Sequence, residues 1–197
     1  MISRLEKYCG DLGKTLCELP GTHVTSVFVF DAILDSGVLK PQICRDFKKE
    51  LTYVFLGRPA YKLNVVGGPS SSLQNLPVCF VVRPEFIKPI DRVYPFDSGA
   101  FLNGRYEGLL PHGAQIDDFR LTPTVGAARG IIERFYGTNE KYLLNRPLHG
   151  LTFLQRDLAS ASYWEFIGNH QVGKFGLDER TSSIELQISS SLSFPVA

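Results

Sequence analysis

The sequence predicts a mixed α+β domain, because segments with strand patterns and segments with helix patterns both occur along the chain. A continuous apolar run at residues 78–82 lies between two prolines, and residues 184–189 alternate strictly between polar and apolar side chains. Both patterns are typical of strands. Apolar residues recur every three or four positions at 27–36 and at 125–135, which predicts helices with one apolar face.

Length and composition favour a single folded domain over residues 1–197. The chain is 44% apolar and has 14 phenylalanines and 8 tyrosines, which is enough to bury one core and argues against disorder along the whole chain. Lysine and arginine number 21 against 20 acidic residues. This balance excludes a nucleic-acid binder that relies on a large cationic excess, while a local basic groove stays compatible with it.

The first 37 residues predict a helix, a short strand and a second helix. Apolar residues at helical spacing cover residues 1–18, and Pro20 and Gly21 end the segment. An extended piece at 22–25 leads to Ser26, which predicts the N-cap of a helix over 27–36. Gly37 follows at the position where a helix-ending glycine is expected.

Three strands and three helices are predicted beyond this point. Residues 52–56 are β-branched and aromatic, and the apolar run at 78–82 predicts a strand buried on both faces. The strand at 184–189 is expected to be half buried, with Glu185 and Gln187 pointing away from the core, so that Glu185→Ala should leave the fold intact. The predicted helices are 125–135, 139–144 and 158–167, and a solvated loop is predicted at 67–72.

Cysteine spacing and hydropathy indicate a protein with reduced thiols. The four cysteines, at positions 9, 17, 44 and 79, form no C-x-x-C pair, so neither a zinc site nor a redox pair is predicted. The N-terminus has no uninterrupted apolar segment, and no run approaches the roughly 18 apolar residues of a membrane span. We therefore expect a soluble cytoplasmic protein without a membrane partner.

Three polar elements next to predicted strands are candidates for chemistry. His23 ends the first strand, Tyr53 lies in the second with Tyr61 eight positions later, and Glu185 lies in the last. Each also has a structural explanation: a hydrogen-bonded histidine at a strand end, aromatic rings covering the core, and a solvated carboxylate.

Taken together, these elements resemble the ADP-ribosyltransferase superfamily of the His–Tyr–Glu type. The stretch T-H-V-T-S-V-F-V-F-D-A-I-L-D-S-G-V-L at 22–39 is similar to the "H-x-T" strand and "I-L-x-x-G-L" helix of bacterial DNA-targeting ADP-ribosyltransferase toxins and their relatives. The strand P-V-C-F-V resembles the "P-V-x-F" strand of that family, and R-T-S-S-I-E-L-Q resembles its glutamate strand. The resemblance implies a split, mainly antiparallel sheet with surrounding helices and an NAD cleft, and a recognition insertion at about 90–175.

The resemblance also implies catalytic roles. Glu185 would stabilise the positive charge that develops on the ribose when the nicotinamide bond breaks, as in other oxocarbenium-like transition states. Either Tyr53 or Tyr61 would stack on nicotinamide and hold the leaving group in line. His23 would donate a hydrogen bond to the adenosine ribose.

Cofactor binding would involve further residues of the same segments. Thr25 of the "H-x-T" strand is a candidate NAD contact. Arg58 is the first candidate for holding the pyrophosphate and Arg45 the second, both chosen by their proximity in the sequence. The chemistry needs NAD as substrate and no metal.

The function implied by the resemblance is transfer of one ADP-ribose from NAD to a macromolecule, by a bacterial toxin or phage-defence effector. A nucleic acid is the first choice of acceptor, and a toxin would imply a neutralising antitoxin partner. Two alternatives stay open: a catalytically silent NAD- or nucleotide-binding module of the same fold, and an RNA-processing enzyme that uses His23.

Cationic residues spread over the middle of the chain bear on the acceptor. If folded together, they would form a basic face with interleaved aromatic stacking platforms for single-stranded nucleic acid. A solvated face over a packed core explains the same residues. They are Arg120, Arg129, Arg134, Lys141, Arg146 and Arg156, with Tyr136, Tyr142, Phe153 and Trp164.

Overall fold

A computed structural model describes residues 2–10, 12, 13, 15–61, 73–168 and 178–194. Its helices and strands follow one another along the chain as α1 (Arg4–Cys9), β1 (Gly21–Ser26), α2 (Val27–Ser36), β2 (Val38–Leu39), β3 (Gln42–Cys44), β4 (Lys49–Leu56), β5 (Pro77–Val82), β6 (Arg92–Tyr94), α3 (Ser98–Leu102), α4 (Val125–Phe135), α5 (Asn139–Leu143), α6 (Leu158–Gly168), β7 (Glu185–Ile188) and β8 (Leu192–Ser193).

The sheet is antiparallel at every pairing between these named strands. Its order is β5-β1-β4-β7-β6, with β3 paired to the start of β4, and β2 and β8 form a separate two-stranded ribbon. Among the described residues, five strands and then four α-helices follow one another between residues 38 and 168, and this segregation, with the antiparallel pairing, confirms the predicted α+β class with a mainly antiparallel sheet.

The sheet divides between β1 and β4. All six residues of β1 pair with β5, but only Gly21 and Thr22 pair with β4. The Thr22 hydroxyl donates to the Phe55 carbonyl at 3.1 Å and to the Arg58 carbonyl at 3.0 Å, which fixes the point of division. A Cβ at Gly21 would lie 2.4 Å from a Val54 methyl carbon, so only glycine lets the two strands approach here. Beyond this point the strands separate and leave room for a cleft.

The second helix begins and ends as predicted. The Ser26 hydroxyl caps α2 by accepting the Val29 amide at 3.4 Å, and Gly37 ends it in the left-handed conformation at φ 63°. The helices predicted at 125–135, 139–144 and 158–167 are also present, as α4, α5 and α6. The prediction of a helix through residue 18 is wrong: α1 ends at Cys9 because Gly10 turns the chain with φ 58°.

The strand prediction at 78–82 is right in position and wrong in burial. Within the described residues β5 pairs with β1 alone and ends the sheet, so it is an edge strand. Val81 is accordingly 67% exposed. The loop predicted at 67–72 lies outside the described residues.

One hydrophobic core holds the sheet and the helices together. Val54, Val93 and Leu186 are fully buried and belong to the same cluster as Ile131 and Phe135 of α4. Buried aromatic residues from the segment predicted as a recognition insertion join this cluster, namely Phe96, Phe119, Tyr136, Tyr142, Tyr163 and Phe166. The described part of that segment is therefore built into the core.

All four cysteines are free thiols. Burial raises the pKa of the Cys9 thiol to about 12. None of the helices in the described ranges is long and apolar enough to cross a membrane.

Candidate functional site

His23 lies one residue beyond the point where β1 leaves β4. Its Nδ1 is 2.8 Å from the Tyr53 carbonyl oxygen. Since a carbonyl oxygen can only accept, Nδ1 carries the proton, and the Nε2 of a neutral ring is an acceptor. A neutral His23 would therefore accept a hydrogen bond from a ribose hydroxyl, whereas the resemblance implies that it donates one.

Tyr53 and Glu185 lie on the same face of the sheet. Across the β4–β7 pair, Phe55 is opposite Glu185 and Tyr53 is opposite Gln187, and residues directly opposite each other point to the same face. The Tyr53 hydroxyl donates to the Cys44 sulfur at 2.8 Å. Burial, followed by the Cys44 contact and the Glu185 charge, raises the pKa of the Tyr53 hydroxyl, so Tyr53 is a neutral ring at physiological pH.

Two adjoining cavities open on either side of His23. The first has a volume of about 430 Å³, and its polar wall consists of His23, Asp46, Tyr53, Asp97, Asn103, Arg105 and Arg180. The second, of about 650 Å³, is mainly apolar, lies between β1, α2 and the β3–β4 hairpin, and includes Thr25. His23, Val24 and Tyr53 line both, so the two cavities form one cleft over the divided sheet.

The prediction that Glu185 lies on an exposed polar face is wrong. Glu185 and Gln187 are both fully buried, because α3 and the residue before it cover this side of the strand. Ser98 donates its amide to Glu185 Oε2 at 3.0 Å and its hydroxyl to Oε1 at 2.6 Å. Gln187 Nε2 donates to the same Oε1 at 2.7 Å. Glu185 thus lies beneath Ser98 and is not among the residues that line the cleft, and removing its side chain would disrupt a buried network.

Burial makes Glu185 a weak acid. Loss of solvent, and then the nearby Asp97 charge, raise the pKa of its carboxyl to about 8, against the opposing effect of the hydrogen bonds from Ser98 and Gln187. Near neutral pH the group is therefore largely protonated. A carboxyl with this property beside a cleft is a candidate for proton transfer.

Asp97 and Glu185 form a pair of neighbouring carboxyl groups, and Asp97 is the one that lines the cleft. Sequence reasoning missed Asp97. Its Oδ1 accepts the Ala100 amide at 2.7 Å and caps α3. The sequence signal was an aspartate followed by three small residues, which is typical of an N-cap. Nothing in that local pattern connects Asp97 with Glu185, which is 88 positions away.

The arginines at the cleft differ from those predicted. Arg58 is buried, and its guanidinium bonds to Glu179, to Ser182 Oγ at 2.9 Å and to Asn145 Oδ1 at 3.2 Å. Together with the exposed Tyr61, Arg58 lines a separate depression. Neither residue contributes to the cleft that holds His23 and Tyr53.

Arg45, the second predicted arginine, lies exposed in the turn between β3 and β4 and lines neither cavity. The cavity arginines are Arg105 and Arg180. Arg180 forms a bidentate pair with Asp178, with Nε–Oδ1 and Nη2–Oδ2 distances of 2.7 and 2.6 Å, and Arg105 Nη2 is 3.5 Å from Asp178 Oδ2. Two guanidinium groups thus lie next to the cavity.

The described residues contain no group of three or more histidine, cysteine, aspartate or glutamate side chains that could hold a metal ion. Comparison of the chain with protein-family models, with curated proteins and with solved structures found no match. The function of the cleft therefore has to be judged from its geometry.

Proposed function

We propose that this protein is a mono-ADP-ribosyltransferase that transfers ADP-ribose from NAD to a macromolecular acceptor, with nucleic acid the first choice. The observation that carries the proposal is the cleft at the divided sheet. It brings His23 and Tyr53 together, with Glu185 on the neighbouring strand and on the same face as Tyr53. Concave sites with a few convergent polar groups are where ligands bind.

The two adjoining cavities suit the two halves of a dinucleotide. The mainly apolar one, with Thr25, would hold the adenosine, and the polar one would hold the nicotinamide riboside. In this placement His23, which lines both, would contact the adenosine ribose between them. Tyr53 would present its ring to nicotinamide, and Arg105 would take the pyrophosphate role that the sequence suggested for Arg58 or Arg45.

The reaction breaks the bond between ribose C1′ and the nicotinamide nitrogen. The bonding electron pair leaves with nicotinamide and neutralises its positive ring, while positive charge develops on the ribose. Asp97, at the cavity wall, would stabilise that charge, and Glu185 beneath it would hold Ser98 in place. A nucleophilic group of the acceptor then forms the new bond to C1′, and its proton passes to the Asp97 carboxylate.

A non-catalytic nucleotide-binding module is the second candidate, and the burial of Glu185 favours it. A carboxyl that is fully covered by Ser98 and Gln187 stabilises no substrate charge unless Ser98 moves. The roles of toxin or defence effector, the antitoxin partner and the cytoplasmic location stay predictions from the sequence.

The test uses labelled NAD with the full chain and mixed nucleic acid. Asp97→Asn keeps an oxygen that can cap α3, so it removes charge with little effect on the fold. We expect wild type to transfer label and Asp97→Asn to reduce transfer by at least about a hundredfold, whereas Glu185→Gln, which replaces a largely protonated carboxyl, should reduce transfer less. Asp46→Asn, which changes the other carboxylate that lines the same cavity, should retain activity within a fewfold.

Three results would redirect the proposal. NAD binding without turnover, across all acceptors, would support the silent module. Label on protein in place of nucleic acid would change the acceptor alone. Equal losses in Asp46→Asn and Asp97→Asn would remove the special role of the carboxylate pair.

A further inference from the structure

A second polar depression lies between α1, the last turn of α4 and the loop before α6. Its volume is about 870 Å³, and none of its residues lines the cleft. Four cationic side chains and one carboxylate line it, together with Tyr8, Thr152 and Leu154. The charged residues are Arg4, Lys7, Arg134, Arg156 and Asp157. We propose that this basic depression binds the phosphodiester backbone of a single-stranded nucleic acid.

Among the described residues, no ion pair neutralises the four cations of the basic depression. Within the described part of the chain, no carboxylate oxygen lies within 4 Å of any of its four cationic groups. Asp157 accepts the Leu154 amide through Oδ2 at 3.2 Å and so caps a turn. Arg134 Nε is buried and has no hydrogen-bond partner among the described residues. An anion entering the depression would therefore meet donors and charge already in place.

The four cations of the basic depression come from three segments of the chain. Arg4 and Lys7 are one helical turn apart in α1, and side chains at this spacing lie about 5–6 Å apart on one helix face. Arg134 and Arg156 come from two other segments. A strand with phosphates at regular intervals could contact several of these groups at once.

Tyr8 lines the basic depression and contacts further aromatic rings beside it. The Tyr8 ring lies 4.8 Å from the Arg134 guanidinium carbon and 5.0 Å from the Phe153 ring, which in turn lies 5.6 Å from Trp164. Basic grooves with neighbouring aromatic rings are typical of single-strand binding, because unpaired bases stack on the rings while the phosphates meet the cations. A concave surface also suits a flexible strand better than a flat anionic membrane, which would contact only its rim.

This inference deepens the proposed function, on which its biological meaning rests, because it names the surface that would hold a nucleic-acid acceptor. Its test does not use NAD. The variant Lys7→Gln/Arg156→Gln removes two exposed charges of the basic depression. The matched control, Arg83→Gln/Lys88→Gln, removes two exposed charges just after β5 that lie outside it and outside the cleft.

The experiment measures binding of a fluorescent 20-nucleotide single strand by anisotropy at several salt concentrations, with the thermal midpoint as a check on folding. We expect the depression variant to bind about tenfold more weakly, with a salt slope smaller by about 1.4, since each phosphate contact on a single strand contributes about 0.7. The control should stay within about twofold of wild type.

Each other outcome counts against the proposal. Equal weakening in both variants would show binding by overall charge, and binding by wild type weaker than about 1 mM would show that the depression holds no strand. Preferential binding to vesicles containing phosphatidylserine would assign the surface to a membrane. If the strand binds as expected but no NAD turnover occurs, the proposed function fails and this inference stands.

Discussion

Replacing Glu185 by glutamine should change how stability depends on pH. The carboxyl releases its proton near pH 4.5 in the unfolded chain, but burial and Asp97 raise its pKa to about 8 in the fold. Between these limits the folded protein holds the extra proton. The free energy of unfolding should therefore fall as pH rises through this window, and level off above pH 8.

The size of the effect follows from the two limits. Proton linkage over the whole window bounds the loss in stability of the wild type at roughly 5 kcal/mol. Glutamine has no proton to release. The free energy of unfolding of Glu185→Gln should therefore rise relative to that of wild type by an amount on the order of 3 kcal/mol between pH 5 and pH 8. Glutamine also places an NH₂ group opposite a hydrogen-bond donor of Ser98. This lowers the free energy of unfolding by about 1–3 kcal/mol at every pH. The slope with pH is therefore the informative quantity, and the absolute difference is not.

Urea denaturation of both proteins at pH 5, 6, 7 and 8, in a reducing buffer, measures this slope. All other titrating groups are shared, so their contributions cancel in the difference. Asp97→Asn serves as a second variant: it removes the charge that helps to raise the Glu185 pKa, so the decline in stability should end at a lower pH. Parallel curves for wild type and Glu185→Gln would refute the assignment of a raised pKa to Glu185.

Three further variants test the fold and the cleft. Tyr142→Phe removes a buried hydroxyl that donates to the Leu56 carbonyl at 2.8 Å and accepts the Ile184 amide at 3.0 Å. The free energy of unfolding, measured by urea denaturation, should fall by about 2–3 kcal/mol. A loss below about 0.5 kcal/mol would contradict these hydrogen bonds. Gly37→Ala should cost about 1 kcal/mol by the same assay, because Gly37 has φ 63°; unchanged stability would argue against the left-handed helix end. For Tyr53, phenylalanine keeps the ring and should change the Kd for NAD less than about threefold, while alanine should raise it at least about tenfold in calorimetry; equal losses would assign the effect to the hydroxyl.

The parts of the fold that depend on neighbouring residues could be predicted from the sequence. Ser26 and Gly37 fix both ends of α2 through contacts within four residues, and such caps act whatever the rest of the chain does. The burial of β5 depends instead on strand order. An apolar run is typical of a central strand, but nothing within the run shows that β5 pairs on one side only.

The candidate site shows the same limit more sharply. Alternation at 184–189 correctly separated Glu185 and Gln187 from the apolar side chains, yet it could not show that Ser98 covers them. Arg58 was chosen because it follows the Tyr53 strand. Gly57, with φ 67°, turns the chain after this strand. The Arg58 side chain therefore forms its hydrogen bonds outside the cleft. Arg105 comes from a segment whose sequence has no pattern that connects it with the strand of His23.

The buried polar network argues that this face of the sheet has a task beyond stability. The other face of β7 is apolar and fully buried at Leu186 and Ile188, and apolar residues at 185 and 187 would fill the covered face without ionisable groups. A buried carboxyl costs desolvation, and the Asp97 charge beside it adds to that cost. Ser98 and Gln187 satisfy the hydrogen-bonding capacity of the Glu185 carboxyl, but they do not remove the pH dependence that its raised pKa gives to stability. Costs of this kind are concentrated at functional sites, and this one lies directly beneath the cavity that His23 and Asp97 line. The raised pKa and the divided sheet therefore point to the same place in the molecule, although they arise from different parts of the sequence.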